Sequence, residues 1–455
     1  MLHRRTLISA APSGFALLAH AALGARDVGA AESPLAPKPP HHAPRASRVI
    51  FLCMDGGPSH IDLFDPKPAL AKADGKTVNR GRLLGAKLFA SPFKAPKRGK
   101  SGIEIGETLP HLAAHADKLC VLRGMQTDQP NHPQAFLQMH TGIFQFPRPS
   151  LGSWVLYGLG TANANLPGFV SISPPANNGG TANHGSCFLP AVYQGTKLGQ
   201  AGRPMASARI PNLTPRTASR QDRQKLQLDL IQEFNRQATP TGPTDPAVAG
   251  LIDSMELAYR MQSELPGVLD IGPEDAATRM AYGLDEDASR NFGHQCLLAR
   301  RLVESGVRFV ELCQPGWDHH RGIRDALSNS SQAIDKPIAG LLADLDARGL
   351  LKDTVVVWGG EFGRTPTSQG GDGRDHNSKG YTMWMAGGGL KAGHVHGSTD
   401  ELGFEAVTGQ MHVHDWHATL LHLLGLDHER LTFRHAGRDM RLTDVKGRVE
   451  QSILA

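Results

Sequence analysis

Cysteine is sparse and nowhere set in a metal-binding spacing: five occur in 455 residues, at Cys53, Cys120, Cys187, Cys296 and Cys313, with no CxxC pair. That excludes a disulfide framework as the organising principle. Cys53, Cys120 and Cys313 lie in strand-like apolar runs and read as small core residues. Only Cys187, in the loop NHGSCF, has a functional look. No long block of lysine or arginine occurs, and a net charge of +5 is small for this length. There is no electrostatic case for nucleic acid. No internal repeat is present, so a repeat architecture is excluded. The one amino-terminal apolar stretch is broken by Pro12, Ser13, Gly14 and His20, which argues against a spanning helix.

The chain does contain an export-like start. Paired Arg4-Arg5, then Thr6-Leu7-Ile8, a modest apolar stretch and Val28-Gly29-Ala30 resemble a twin-arginine signal with a small-residue cleavage site. An ordinary secretory signal or an uncleaved anchor is the alternative. Removing residues 1–30 takes away three arginines and one aspartate, lowering the charge from +5 to +3. A mature chain without a transmembrane helix, in the periplasm or outside the cell, is the expectation. Residues 31–47, rich in Pro, Ala and His, read as a linker. With 40% hydrophobic residues the rest can bury a sizeable core.

Three strand-like runs end on chemistry. Arg48 to Met54 delivers Asp55 into GGPSH. Val307 to Cys313 is followed by QPGWDHH, with Asp318, His319 and His320. Thr354 to Trp358 leads through two glycines to Glu361 and a Gly-rich loop with Asp372, Asp375 and His376. β-Branched runs bounded by glycine read as buried strands. In open parallel sheets the ligand crevice lies beyond the carboxyl ends of the strands. The rest of the chain alternates helix and strand. Strands are expected at 118–123, 168–173 and 381–386. Helices are expected at 109–116, 134–141, 150–159, 222–237, 245–264, 287–305, 334–348 and from Asp415, as N-cap, to Leu424. That rhythm predicts right-handed crossovers, an α/β fold and a mostly parallel sheet. Residues 218–290 read as a helical insertion, and 174–217 as a long rim or lid.

The candidate metal ligands are Asp55, Asp318, His320, Glu361 and His376, with Asp375 a further carboxylate and His319 an equal choice to His320. Oxygen donors with a few imidazoles suit zinc, manganese, magnesium or calcium. One or two such ions, a pair being roughly 4 Å apart, could bind an ester oxyanion and activate water. Arg364, in GEFGRTP, is a candidate anion clamp. Asn131 and His132 open a helix, where an anion is favoured; a plain N-cap at Asn131 fits as well. His412, His414 and His417 read as cap and core, and His394 and His396 as loop surface.

The stretches FLCMDGGPSHIDLFDPKP, NHPQAFLQMHTG, RPSLGSWV, GWDHHRG, VVVWGGEFGRTP, RDHNSKGYTMWMAGGGL and DWHATLLHLLG together resemble the bacterial domain-of-unknown-function family 1501, from about Arg48 to Val445. That family resembles sulfatases and alkaline phosphatases. The resemblance implies a three-layer α/β/α fold. It also implies metal-dependent hydrolysis of a sulfate or phosphate ester, or a catalytically inactive scaffold that binds an anionic ligand such as a sulfated polysaccharide. It makes Asp55 the first-strand metal ligand, Asp318 and His320 ligands of a second ion, and His376 a later ligand. Glu361 stands where an aspartate is usual. The superfamily nucleophile would fall near Asn131-His132, yet NHPQAF holds no Ser, Thr or Cys. His132, as nucleophile or ligand, or direct attack by water is what the departure implies.

Overall fold

The computed structural model describes residues 33–79, 81–210, 213, 219–238 and 246–455. The export-like segment lies outside the described residues. Residues 33–47 have no helix or strand but lie against the body, with Leu35 and Ala46 buried.

In chain order the elements that build the site are β1 (Arg48–Asp55), β2 (Leu119–Gln126), α1 (His132–Thr141), α2 (Leu151–Leu159), β3 (Phe169–Ile172), β4 (Thr196–Leu198), α3 (Ser219–Ala238), α4 (Pro246–Leu269), α5 (Arg290–Glu304), β5 (Phe309–Pro315), α6 (Ile323–Ala347), β6 (Thr354–Gly359), β7 (Gly363–Gln369), β8 (Gly373–Asn377), β9 (Tyr381–Gly387), β10 (His394–His396), β11 (Met411–His412) and α7 (Val413–Leu423). One nine-stranded sheet runs β10-β2-β9-β6-β1-β5-β3-β4, with β11 also on β2. Among the described residues only β9 is antiparallel to its neighbours in this sheet, β2 and β6. The fold is therefore mixed α/β with a mostly parallel central sheet, as the alternating pattern predicts.

The central strands are buried on both faces. That is why RVIFLCM and TVVVW are continuous apolar runs rather than alternating ones. Register puts Cys53 beside Cys313 and Phe51 beside Glu311. On that face α1 and α7 cover the sheet: the Phe51 ring lies 5.9 Å from His140 and 5.5 Å from Trp416. On the other face Trp358 and Trp384, cross-strand partners, stack 6.1 Å apart at 3°.

Four expectations change. The Gly-rich stretch after Glu361 is not a loop but an antiparallel hairpin, β7–β8, with His376 registered opposite Arg364. Helix α6 begins at Ile323, eleven residues before Ile334. Its polar first half hides a buried stripe of Ile323, Leu327, Ser331, Ile334 and Ile338, spaced three or four residues apart. His396 lies on β10, paired with β2 and buried, not on a surface loop. Finally, α7 is capped by His412, with Asp415 three residues inside completing a capping box; Asp415 is not itself the cap.

Candidate metal centre

β1 ends at Asp55 and turns through Gly56, whose φ of +122° suits glycine. A Cβ there would lie 2.6 Å from Asp318 N, so the exit of β1 can press against the loop after β5 only without a side chain. Glu361, buried after β6, accepts from Gly56 N at 3.2 Å. α1 starts at Asn131, which caps Gln134 N with its side chain at 3.3 Å. The helix thereby presents His132 at its first turn. The hairpin brings His376 back to the same point.

There, four side chains meet. His132, Asp318, His320 and His376 each offer one ligand atom, all within 4.8 Å of one another. Around Asp318 Oδ1 lie His320 Nε2 at 2.8 Å, His132 Nε2 at 3.2 Å and His376 Nε2 at 3.3 Å. His320 Nε2 and His376 Nε2 are 2.9 Å apart. The far nitrogens explain the near ones. His376 Nδ1 donates to Pro130 O at 2.6 Å. His132 Nδ1 lies 2.5 Å from Glu361 Oε1, and His320 Nδ1 pairs with Gln369 Oε1. A carbonyl and a carboxylate only accept, so Nδ1 carries a proton and Nε2 of each ring is the nitrogen that faces the cluster, able to bind a cation in place of a proton. His132 Nε2 is buried, and among the described residues the group it faces is Asp318 Oδ1. Imidazole nitrogens packed on one carboxylate oxygen, each ring fixed from behind by an acceptor, are what a divalent cation requires.

Electrostatics agree with a site built around charge. Burial would raise the Asp318 carboxyl, but bonds from His132, His376 and Arg364 outweigh it and hold it far below the usual range. Burial would lower His132, but Asp318 and Glu361 raise it to about 9. Asp55 is pushed up to about 6 by burial and then by the charge of Glu361, against the bond it accepts from Asn178 Nδ2 at 2.6 Å.

Of the five residues expected to bind metal, the structure brings Asp318, His320 and His376 into one group. It adds His132, for which the sequence left the roles of nucleophile and ligand both open. Glu361 stands behind His132, and Asp55 borders Glu361. His319 points away, with Nε2 2.9 Å from Gly316 O, and Asp375 accepts from His376 N at 2.8 Å. Arg364 does not face a substrate. It is fully buried, and each of its nitrogens donates inward: Nε to Gly57 O at 2.9 Å, Nη1 to Arg374 O at 3.2 Å, and Nη2 to Asp318 Oδ1 at 2.6 Å as well as to Gly56 O. It fixes Asp318. Asn131 caps its helix and does not enter the cluster. Asn178 was missed; in PPANNGG nothing sets it apart from Asn177.

The solved structures similar to this chain include a sulfatase from Pseudoalteromonas sp., PsFucS1. It is 14% identical over 84% of this chain and 68% of that one, with a TM-score of 0.35. Ps i-CgsB in complex with k-i-k-neocarrahexaose is 11% identical over 84% and 72%, TM-score 0.38. The phosphonate monoester hydrolase SpPMH from Silicibacter pomeroyi is 12% identical over 83% and 73%, TM-score 0.34. No curated protein matches. A family model described as "Protein of unknown function (DUF1501)" matches residues 46–454.

Proposed function

The chain belongs to the DUF1501 family, and on that premise we infer that it is an exported, divalent-metal-dependent hydrolase of sulfate or phosphate esters. The observation that carries this is the convergence of three imidazole Nε2 atoms on Asp318 Oδ1. The donor set, three imidazoles and one carboxylate, fits zinc or manganese better than calcium. His132, Asp318, His320 and His376 would hold the ion. Such an ion supplies Lewis acidity toward an ester oxygen and makes bound water a better nucleophile at neutral pH.

The chain's own groups do the rest. Glu361 keeps the His132 proton on Nδ1, and Arg364 holds Asp318 in place. Asn178 fixes Asp55 Oδ1, leaving Oδ2 to take a proton from attacking water. With no hydroxyl or thiol in NHPQAF, water rather than a side chain attacks. The resemblance of the strand-end motifs to sulfatases and alkaline phosphatases fits the same chemistry.

The missing hydroxyl and the inward Arg364 also favour a second reading, a non-catalytic binder of an anionic or sulfated polysaccharide. A panel of aryl sulfates and aryl phosphates, assayed with the zinc- or manganese-loaded full chain, separates the two. Turnover lost in Asp55→Ala supports the hydrolase. A loaded protein that turns over nothing on the panel overturns it and leaves the binder.

A further inference from the structure

A second group of metal-capable side chains lies in the core beneath α1. Cys53 on β1, Glu311 on β5 and His140 on α1 each offer a ligand atom, all within 4.8 Å of one another, and all three residues are buried. His140 Nδ1 lies 2.8 Å from Phe136 O, the carbonyl one helical turn back. A carbonyl only accepts, so the Nδ1 proton is settled and the Nε2 lone pair faces Glu311 Oε1 at 2.8 Å. Two acceptors at that distance need a proton or a cation between them. Cys313 is the register partner of Cys53. Ser171, register partner of Glu311 on β3, has a buried hydroxyl with no hydrogen-bond partner among the described residues.

We propose that Cys53, His140 and Glu311 hold a structural divalent cation of the zinc class, separate from the cluster at the strand exits. The chemistry balances. The space holds one proton on the Cys53 sulfur and one between His140 and Glu311. A divalent cation displaces both, so the charge of this dry space does not change. Cys53 binds as thiolate, Glu311 as carboxylate and His140 through Nε2, with Ser171 Oγ the neutral fourth donor. Phe136 O orients the imidazole from behind, and Cys313 sits beside Cys53 in register. Because the ligands come from a helix and two central strands and are sealed from solvent, the ion enters as the chain folds and leaves only when it unfolds.

The test is the zinc content of the full chain, expressed with zinc and dialysed against EDTA while folded. About one equivalent is expected to stay and to be released only in guanidinium. It is expected to stay equally in His376→Ala, which disables the strand-exit cluster, and to be absent from Cys53→Ser. If Cys53→Ser does not fold, wild type refolded with cobalt serves instead, where a near-ultraviolet sulfur-to-cobalt band is expected to persist after EDTA. No retained zinc, zinc retained undiminished in folded Cys53→Ser, or cobalt protein without that band would each overturn the proposal.

Discussion

His132 Nδ1 sits 2.5 Å from Glu361 Oε1, so a helix start and a strand end more than two hundred residues apart share one proton. That bond fixes which ring nitrogen of His132 faces Asp318. Glu361→Gln keeps an oxygen for the Gly56 and His132 N–H groups but removes the charge. Cation affinity at the strand exits is expected to fall about 10- to 100-fold with little loss of stability. A zinc competition titration checks this; unchanged affinity would show that Glu361 does not tune the imidazole.

Arg364 acts through Asp318 and not on substrate. Arg364→Lys cannot reproduce a planar fork that donates to Gly56, Gly57 and Asp318 together. Urea unfolding of the EDTA-stripped protein is expected to show a loss of about 1–3 kcal/mol, as for leaving buried carbonyl acceptors without a donor. A stable Arg364→Lys variant would return Arg364 to the role of an anion clamp.

The strand carrying His376 is anchored by Arg374, which grips Asp62 through Nε at 2.7 Å and Nη2 at 3.0 Å, both side chains fully buried. Burial would raise the Asp62 carboxyl, but the Arg374 charge and bonds and the Ser59 hydroxyl outweigh it and lower it. A lowered carboxyl stabilises the fold above its ordinary titration range, and that contribution is lost as pH falls through the depressed folded value. Asp62→Ala is expected to cost about 3–5 kcal/mol near neutral pH in denaturant titrations.

Acid should weaken the fold earlier than these carboxylates require. Burial lowers His60 to about 4, His414 to about 4 and His417 to about 3. Each is neutral when folded and takes a proton when unfolded. Their contribution is intact above the ordinary histidine value of about 6.5 and is lost as pH drops toward 3–4. In EDTA-stripped protein the urea midpoint is expected to fall steadily from pH 6.5 to 4.5, and less steeply in folded His417→Asn. A flat profile over that window would contradict the buried neutral state.

Strand exits were legible because a sheet buried on both faces needs unbroken apolar runs, and Asp55, Asp318 and Glu361 interrupt the sequence just beyond them. Asp318, His320 and His376 were therefore within reach of sequence alone. The hairpin was not. GRTPTSQGGDGRDHN has the glycines of a loop, and its pairing depends on Arg364 and Arg374 being buried by elements far away in the chain. The inward turn of Arg364 was hidden for the same reason, since an arginine beside a glycine looks the same facing solvent or core. Sequence left His132 open between nucleophile and ligand, because the choice depends on Glu361 lying behind it. The His140–Glu311 pair was masked because each residue sits alone in an apolar stretch.

The most direct measurement is calorimetric titration of EDTA-stripped full chain with zinc, alongside His376→Ala and His320→Ala. One equivalent bound by the wild type and lost or strongly weakened in both variants is the predicted result. No zinc uptake, or uptake indifferent to both histidines, would contradict a cation site made by His132, Asp318, His320 and His376.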